Sequence, residues 1–135
     1  MMALRQTYLS MKKKLPANAE VVLVMHGRGN DELAPSKELL DDFNRHKKQF
    51  REDSGYPTAF HYAWDVCDYE KRFREMILSN PKAMARLKAL TEASRARDIF
   101  LVCYEGKDKP CHRRLLLKIA KEQFGADVDE RPFEP

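Results

Sequence analysis

The sequence has no long apolar segment and few cysteines. No apolar run approaches the roughly 18 residues that a membrane-spanning helix needs, and the opening residues contain no apolar stretch of signal-peptide length. Three cysteines are an odd number and too few for a disulfide scaffold. We therefore expect a soluble, cytoplasmic protein in a reducing compartment, with no membrane association.

Motifs that mark several large enzyme classes are also missing. The sequence has no Walker A motif, no G-x-G-x-x-G, no H-E-x-x-H and no G-x-S-x-G. It lacks C-x-x-C, which argues against thioredoxin-type chemistry. Cys103 is followed six positions later by Lys109 instead of an arginine, so the tyrosine-phosphatase signature is absent. These missing motifs do not decide whether the protein is an enzyme.

The composition is that of one globular domain over residues 1–135. The chain is 43% hydrophobic and 34% charged, which allows both a buried core and a well-hydrated surface. The net charge is +4, with basic clusters at 12–14, 45–48 and 107–109. A basic surface attracts polyanions without reading their sequence. A nucleic-acid-binding module is therefore one function class to keep, although many soluble proteins of this charge bind no nucleic acid.

Two apolar runs predict strands of a parallel sheet. Residues 21–25 and 99–104 are continuous apolar segments rich in β-branched side chains, typical of strands that are covered on both faces. Because helical segments separate them, we predict a single three-layer α/β domain with a small, mainly parallel sheet flanked by helices. Ligands bind such sheets beyond the carboxyl ends of the strands. If the two strands are neighbours, both of these ends open onto the same edge.

The two ends of the chain predict shorter elements. Residues 3–14 predict a helix that ends in a lysine run, so that residues 1–19 form an N-terminal helix and lead-in, with the break at Pro16. Residues 127–128 are a candidate for a last short strand. Residues 132–135 are predicted to be a tail.

Capping residues mark the other helices. Serine, asparagine and aspartate are strong N-caps, proline suits the first turn, and glycine ends a helix. Residues 60–64 fit a short strand and a helix start equally well. The predicted helices begin near Ser36, Asp65 or Asp68, Asn80 and Cys111, and the last one ends at Gly125.

Most of the chemically active side chains lie between the second strand and the last helix. Residues 103–114 contain two of the three cysteines, one of the four histidines and two arginines. The first N–H groups of a helix carry partial positive charge, so a helix that begins at Cys111 offers an anion site. Arg113 falls within the apolar arc of this helix, where an unpaired charge is costly. Its partner is either Glu105, as a structural brace, or the phosphate or carboxylate of a ligand.

Cys111 has a second interpretation as a reactive thiol. A helix N-terminus and nearby cations lower the pKa of a thiol. Cys111 is then a nucleophile with His112 as its base, or a redox centre with Cys103 as the resolving partner. The alternative is that both cysteines are small core residues. Metal binding by these three side chains would need Cys67 or a distant histidine as fourth ligand, so we expect neither a metal nor another cofactor.

The same part of the chain resembles a known family. Residues 100–105, followed by the Cys-His-Arg run at 111–113 and a leucine-rich helix, are similar to the domain-of-unknown-function 488 family. The stretch 33–40 is similar as well. The aromatic residues that share the family pattern are Trp64, Tyr69 and Phe73.

This resemblance covers residues 21–124 and implies a compact α/β fold and a prokaryotic cytoplasmic protein. It implies no established activity. Many members are similar in having an arginine in the loop after the first strand, and Arg28 is the candidate for that position here.

The leading hypothesis is a pocket for a small anionic ligand, held by Arg113 and the N-terminus of the last helix, with Glu105 and His112 orienting it. The second is a cysteine-dependent enzyme, in which Cys111 and His112 are the catalytic residues. The third is the basic nucleic-acid-binding module. The oligomeric state does not follow from the sequence. The predicted ligand-binding residues are Arg113, Glu105, Cys103 and Arg28.

Overall fold

A computed structural model describes residues 2–104 and 109–133 of the chain. Short 3₁₀-helices at Leu9–Lys14, Asp31–Leu33 and Glu52–Ser54 connect the main elements. The strands are β1 (Leu4–Tyr8), β2 (Glu20–Leu23), β3 (Ile99–Cys103) and β4 (Val128–Pro132). The α-helices are α1 (Lys37–Lys48), α2 (Ala59–Val66), α3 (Tyr69–Leu78), α4 (Pro81–Ala93) and α5 (His112–Phe124).

The sheet is parallel throughout the described residues, in the order β2-β3-β1-β4. This confirms the predicted α/β fold. Every residue of β3 is buried, because β3 has a strand on each side and side chains packed on both faces. The two apolar strands are neighbours, since β2 pairs with β3 from Glu20–Ile99 to Leu23–Val102, so their carboxyl ends open onto the same edge of the sheet.

The core lies on the sheet face that α5 covers. Successive side chains of a strand point to opposite faces, so Ile99, Leu101 and Cys103 share one face, and all three belong to the hydrophobic core cluster. Helices α3 and α4 contact α5 and complete this layer. On the opposite face, the ring of Phe100 packs edge to face on Phe133, with their centroids 5.5 Å apart.

The predicted N-terminal helix over residues 3–14 is wrong. Residues Leu4–Tyr8 form β1, an interior strand of the sheet, and a 3₁₀-helix follows. Residues 3–14 contain many good helix formers, but the backbone of β1 finds hydrogen-bonding partners in β3 and β4 on its two sides. Those partners lie more than 90 residues away in the chain, so the local sequence does not indicate the pairing. Tertiary pairing therefore overrides local propensity here.

Most helix boundaries agree with the capping signals. The side chain of Ser36 accepts the N–H of Leu39 at 3.1 Å, and Asn80 accepts those of Lys82 and Ala83. Gly125 ends α5 in the left-handed region, with φ of 66°. The ambiguous segment 60–64 is helical within α2.

The strand boundaries differ from the predicted ones, by one residue at the end of β3 and by more in β2 and β4. Strand β2 ends two residues earlier than predicted, at Leu23, although the N–H of Val24 still donates to the carbonyl of Val102 at 3.0 Å. Strand β4 runs to Pro132, so that the predicted tail begins inside the sheet. No helix in the described residues combines the length and apolar character that crossing a bilayer requires.

The position of β1 gives a stability test. Leu4 is fully buried in the core, whereas in a short N-terminal surface helix its loss would matter little. We expect Leu4→Ala to lower the free energy of unfolding by about 2–5 kcal/mol, which is the range for truncation of a buried leucine. Urea denaturation measures this change. The matched control is Leu78→Ala, whose side chain is 37% exposed at the end of α3. Equal, small effects of the two changes would contradict an interior β1.

Candidate functional site

The site is built around a pair of sulfur atoms at the carboxyl end of the sheet. Cys103 is the last residue of β3, and Cys111 is the N-cap of α5. Their sulfur atoms are joined as a disulfide across a separation of 8 residues. Both side chains are buried. The predicted approach of these two cysteines is therefore present in the structure.

His112 lies next to this pair in a fixed orientation. Its Nε2 is 2.7 Å from the carbonyl oxygen of Val24, which follows β2, and its ring packs against Phe73 at 5.4 Å between centroids. Burial, reinforced by the positive charge of Arg113, lowers the pKa of His112 to about 4, against a smaller opposing effect of the Val24 carbonyl. His112 is therefore neutral near pH 7.

The contact with Val24 decides which nitrogen of His112 carries the proton. A carbonyl oxygen only accepts hydrogen bonds, so Nε2 is the N–H donor to Val24. In a neutral imidazole the other nitrogen, Nδ1, then has a free lone pair. Nδ1 lies 3.6 Å from the sulfur of Cys111. The imidazole thus presents a proton acceptor to Cys111.

Arg113 lies on the sheet side of α5 and is fully buried. Its Nε donates to Oε1 of Gln6 at 2.8 Å, and its Nη1 donates to the sulfur of Cys103 at 2.8 Å. Gln6 in turn donates its amide to the carbonyl of Glu130 in β4. These contacts place the guanidinium beside the sulfur pair and tie it to the middle of the sheet.

A cavity of about 150 Å³ lies on the other side of Cys111. Cys111 and His112 form one end of it, and Met25 and His26 border it from the end of β2. The remaining lining is mostly aromatic. These aromatic side chains, which come from α1, α2, α3 and the end of β3, are Phe43, Phe60, Trp64, Tyr69 and Tyr104.

The other predicted ligand-binding residues have different positions. Arg28 is exposed, and its Nη2 donates to the hydroxyl of Tyr104 at 3.3 Å, so that it lies at the border of the cavity. Glu105, predicted as a partner of Arg113, lies outside the described residues. His26 borders the cavity, and its Nδ1 is 3.9 Å from a carboxylate oxygen of Asp31.

The donor set of a metal centre is only partly present. In the described residues, Cys103, Cys111 and His112 place one ligand atom each within 4.8 Å of one another. A structural zinc site is tetrahedral with four protein ligands, and this group supplies three. In the disulfide form the two sulfur atoms are bonded to each other.

Sequence reasoning missed several residues of the site. Gln6 was not considered because its segment was predicted to be a helix. The Val24 carbonyl is a backbone group, for which residue identity gives no signal. Trp64 belongs to the aromatic pattern that resembles the family, and the structure stacks it on Tyr69 with centroids 4.1 Å apart and places it in the cavity wall. The spacing 64, 69, 73 was the available signal.

Comparison with known proteins agrees with the resemblance. The family model described as the active DUF488-N3 subclade matches residues 25–123, which include α1 to α4, β3, the Cys-His-Arg run and α5 except its last residue. No curated protein and no solved structure matches the chain.

The neutral state of His112 gives a test that depends on pH. Its pKa is lowered from 6.5 in the unfolded chain to about 4 in the folded protein, so the unfolded state takes up the proton first as the pH falls. This contribution to stability is present above pH 6.5 and is lost between about pH 6.5 and 4, by about 3 kcal/mol. The free energy of unfolding, measured in urea at pH 7 and pH 4.5, should fall less between these two pH values in His112→Gln than in the wild type.

The control for this experiment is Leu78→Ala at the end of α3, which removes no titratable group and should keep the wild-type pH dependence. An NMR titration of the imidazole follows the same group directly. A His112 resonance that titrates near pH 6.5 would contradict the neutral, buried state.

Proposed function

The chain belongs to the DUF488 family, and from that premise we propose that it is a cysteine-dependent enzyme that exchanges thiols and disulfides with a small molecule at Cys111. The observation that carries the proposal is the Cys103–Cys111 disulfide, set between the neutral imidazole of His112 and the guanidinium of Arg113. The matching subclade is described as active, which supports chemistry over a purely structural role for the two cysteines.

Cys111 is the sulfur that meets the small molecule. It lines the aromatic cavity, whereas Cys103 is fully buried at the end of β3 behind it. A thiol exchange needs the attacking sulfur, the attacked sulfur and the leaving sulfur roughly in line, so access decides which cysteine reacts first. Cys111 therefore forms the bond to the incoming molecule, and Cys103 resolves it.

His112 activates Cys111 in the dithiol form. The thiolate is the nucleophile, so the thiol proton has to be removed. The lone pair on Nδ1 faces Cys111 because the Val24 carbonyl holds the N–H on the opposite nitrogen. This is the arrangement of nucleophile, base and orienting group that covalent catalysis uses. Burial keeps the imidazole unprotonated and able to accept.

Arg113 acts on the sulfur of Cys103. Its Nη1 donates to Cys103 at 2.8 Å, and a positive charge at that distance favours the thiolate over the thiol. The resolving cysteine is thereby ready to attack once Cys111 carries the mixed disulfide. The described contacts of Arg113 thus favour a role toward Cys103, and anion binding by Arg113 stays a prediction.

The reaction balances in two exchange steps. In the first, the Cys111 thiolate attacks a disulfide R–S–S–R, which forms Cys111–S–S–R and releases one R–S⁻. In the second, the Cys103 thiolate attacks the Cys111 sulfur, which forms the Cys103–Cys111 disulfide and releases the second R–S⁻. Two electrons pass from the protein dithiol to the small disulfide, and the two thiol protons end on the two released thiols. A thiol substrate drives the same steps in reverse.

The expected compartment supports this proposal. Disulfides that occur in reducing compartments are mostly catalytic or redox-sensing, and the composition predicts such a compartment. Binding of nucleic acid by the basic surface remains a separate proposal. Its signature is a steep fall of affinity with salt, because each neutralised phosphate releases counterions.

The order of the two cysteines can be read by intact-mass spectrometry. We expect the reduced wild type, treated with hydroxyethyl disulfide, to end lighter by two hydrogen atoms as the internal disulfide. Cys103→Ser should stop at a mixed disulfide on Cys111, because nothing resolves it. Cys111→Ser should react slowly, because Cys103 lies behind the cavity.

Cys67→Ser is the matched control. Cys67 is buried between α2 and α3, and burial raises the pKa of its thiol, so this variant should react as the wild type does. The proposal fails if the reduced wild type accumulates mixed disulfides and never closes the internal one. The assigned order fails if Cys111→Ser and Cys103→Ser react equally fast.

The role of Arg113 can be tested in the resolving step. Without the guanidinium, less Cys103 is ionised near neutral pH, and one unit of pKa corresponds to about a tenfold loss of thiolate. We expect Arg113→Met to accumulate the mixed disulfide on Cys111 and to resolve it about tenfold more slowly, with the rate recovering at higher pH. Arg113→Lys should retain part of the rate because it keeps the charge.

Lys118→Met is the control for this experiment, since Lys118 is a cation on the exposed side of α5. It should resolve at the wild-type rate. Circular dichroism of each variant verifies that the chain is folded. Equal resolving rates in folded Arg113→Met and the wild type would exclude Arg113 from this step.

A further inference from the structure

The cavity beside Cys111 has the walls of an aromatic binding site. Trp64 stacks on Tyr69 with an angle of 18° between the rings, and Phe43 meets Phe60 edge to face at 4.9 Å. The wall is therefore a cluster of rings that pack face to face and edge to face on one another. An aromatic guest gains from offset stacking or edge-to-face packing against such a wall.

The size of the cavity limits the guest to a single ring. Its volume is about 150 Å³, and an engineered protein cavity of about this volume binds benzene. A fused ring system or a whole nucleotide exceeds this space. The part of the ligand that enters is therefore one five- or six-membered ring, with any further group left at the mouth.

The charges at the mouth favour an anionic group there. Nζ of Lys109 lies 5.6 Å from the ring centroid of Phe60, and Arg28 donates to the hydroxyl of Tyr104. Both aromatic partners line the cavity. In the described residues, the lining contains no lysine, arginine, aspartate or glutamate, so an ionised group of the ligand has no counterpart inside.

Two carboxylates lie nearby, and each has a partner. Asp31 accepts the N–H of Gly27 at 2.8 Å and lies beside His26, and Glu70 accepts the indole N–H of Trp64 at 3.3 Å. The indole contact holds Glu70 at the edge of the Trp64 ring. The described side-chain contacts of Lys109 and Arg28 are to the aromatic residues Phe60 and Tyr104, so these two cations favour a negative charge on the ligand.

We propose that the cavity binds a small molecule with one aromatic ring and one anionic substituent, the ring between the aromatic walls and the anion toward Lys109 and Arg28. This deepens the proposed function by naming the part of the thiol or disulfide that enters the cavity beside Cys111. It rests on the proposed function for the sulfur chemistry alone. A carboxylate or phosphate attached to a single aromatic ring satisfies the shape and the charge together.

Binding can be measured on the disulfide form, in which no thiol chemistry takes place. Trp64 is the single tryptophan of the chain, so its fluorescence reports the cavity directly. The probes are benzoate, benzamide and acetate, which present ring and charge, ring alone, and charge alone. We expect saturable changes with benzoate at a Kd about tenfold lower than with benzamide, and none with acetate.

Matched variants separate the two halves of the ligand. Lys109→Gln should lower the affinity for benzoate to about that for benzamide and leave the affinity for benzamide unchanged. Salt at 0.5 M should also lower the affinity for benzoate, because it screens exposed charges. Phe60→Leu should weaken both ring compounds. Lys118→Gln, on the exposed side of α5, is the control and should leave all three probes as in the wild type.

The outcomes distinguish this inference from the proposed function. Equal affinities for benzoate and benzamide, or no saturable response to either, would overturn the ligand class and leave the exchange reaction of Cys111 to be judged by mass spectrometry. Conversely, a wild type that binds benzoate and never closes the internal disulfide would keep the ligand class and reject thiol exchange.

Discussion

The buried guanidinium of Arg113 is the interaction on which the arrangement of the site depends. A charge removed from water is costly unless it is fully hydrogen-bonded, and its described partners are Gln6 of β1 and Cys103 of β3. Gln6 also donates to the Glu130 carbonyl of β4. One network therefore joins three neighbouring strands to α5, and it explains why a polar glutamine occupies the interior of a strand.

The orientation of α5 follows from that network. Because Arg113 points toward β1 and β3, the residue before it, rotated by about 100° around the helix, points toward the end of β2. His112 meets the Val24 carbonyl there, and Cys111 faces the cavity. The same turn of helix thus sends a cation to one sulfur and a proton acceptor to the other. Two adjacent residues of the helix therefore contact different sulfur atoms.

The residues of the proposed chemistry and those of the proposed ligand cavity come from different parts of the chain. The sulfur pair, the imidazole and the guanidinium belong to the segment from β3 to α5, whereas most of the aromatic wall belongs to α1, α2 and α3. These parts meet because α3 packs on α5 and the helical layer covers one face of the sheet. The parallel topology brings the ends of β2 and β3 to the same edge, which is where ligands bind in this class of fold.

Local signals in the sequence determined β3, the N-caps at Ser36 and Asn80, the end of α5 at Gly125 and the position of the site, because a buried strand and a capped helix are encoded within a few residues. Only the tertiary structure decided that residues 4–8 are an interior strand, since its hydrogen-bonding partners lie more than 90 residues away. It also decided that a Val24 carbonyl orients His112 and that Trp64 faces the cavity. A backbone carbonyl has no residue-specific signature, and an aromatic side chain packs in a core as readily as it lines a pocket, so these features exist only once the chain has folded.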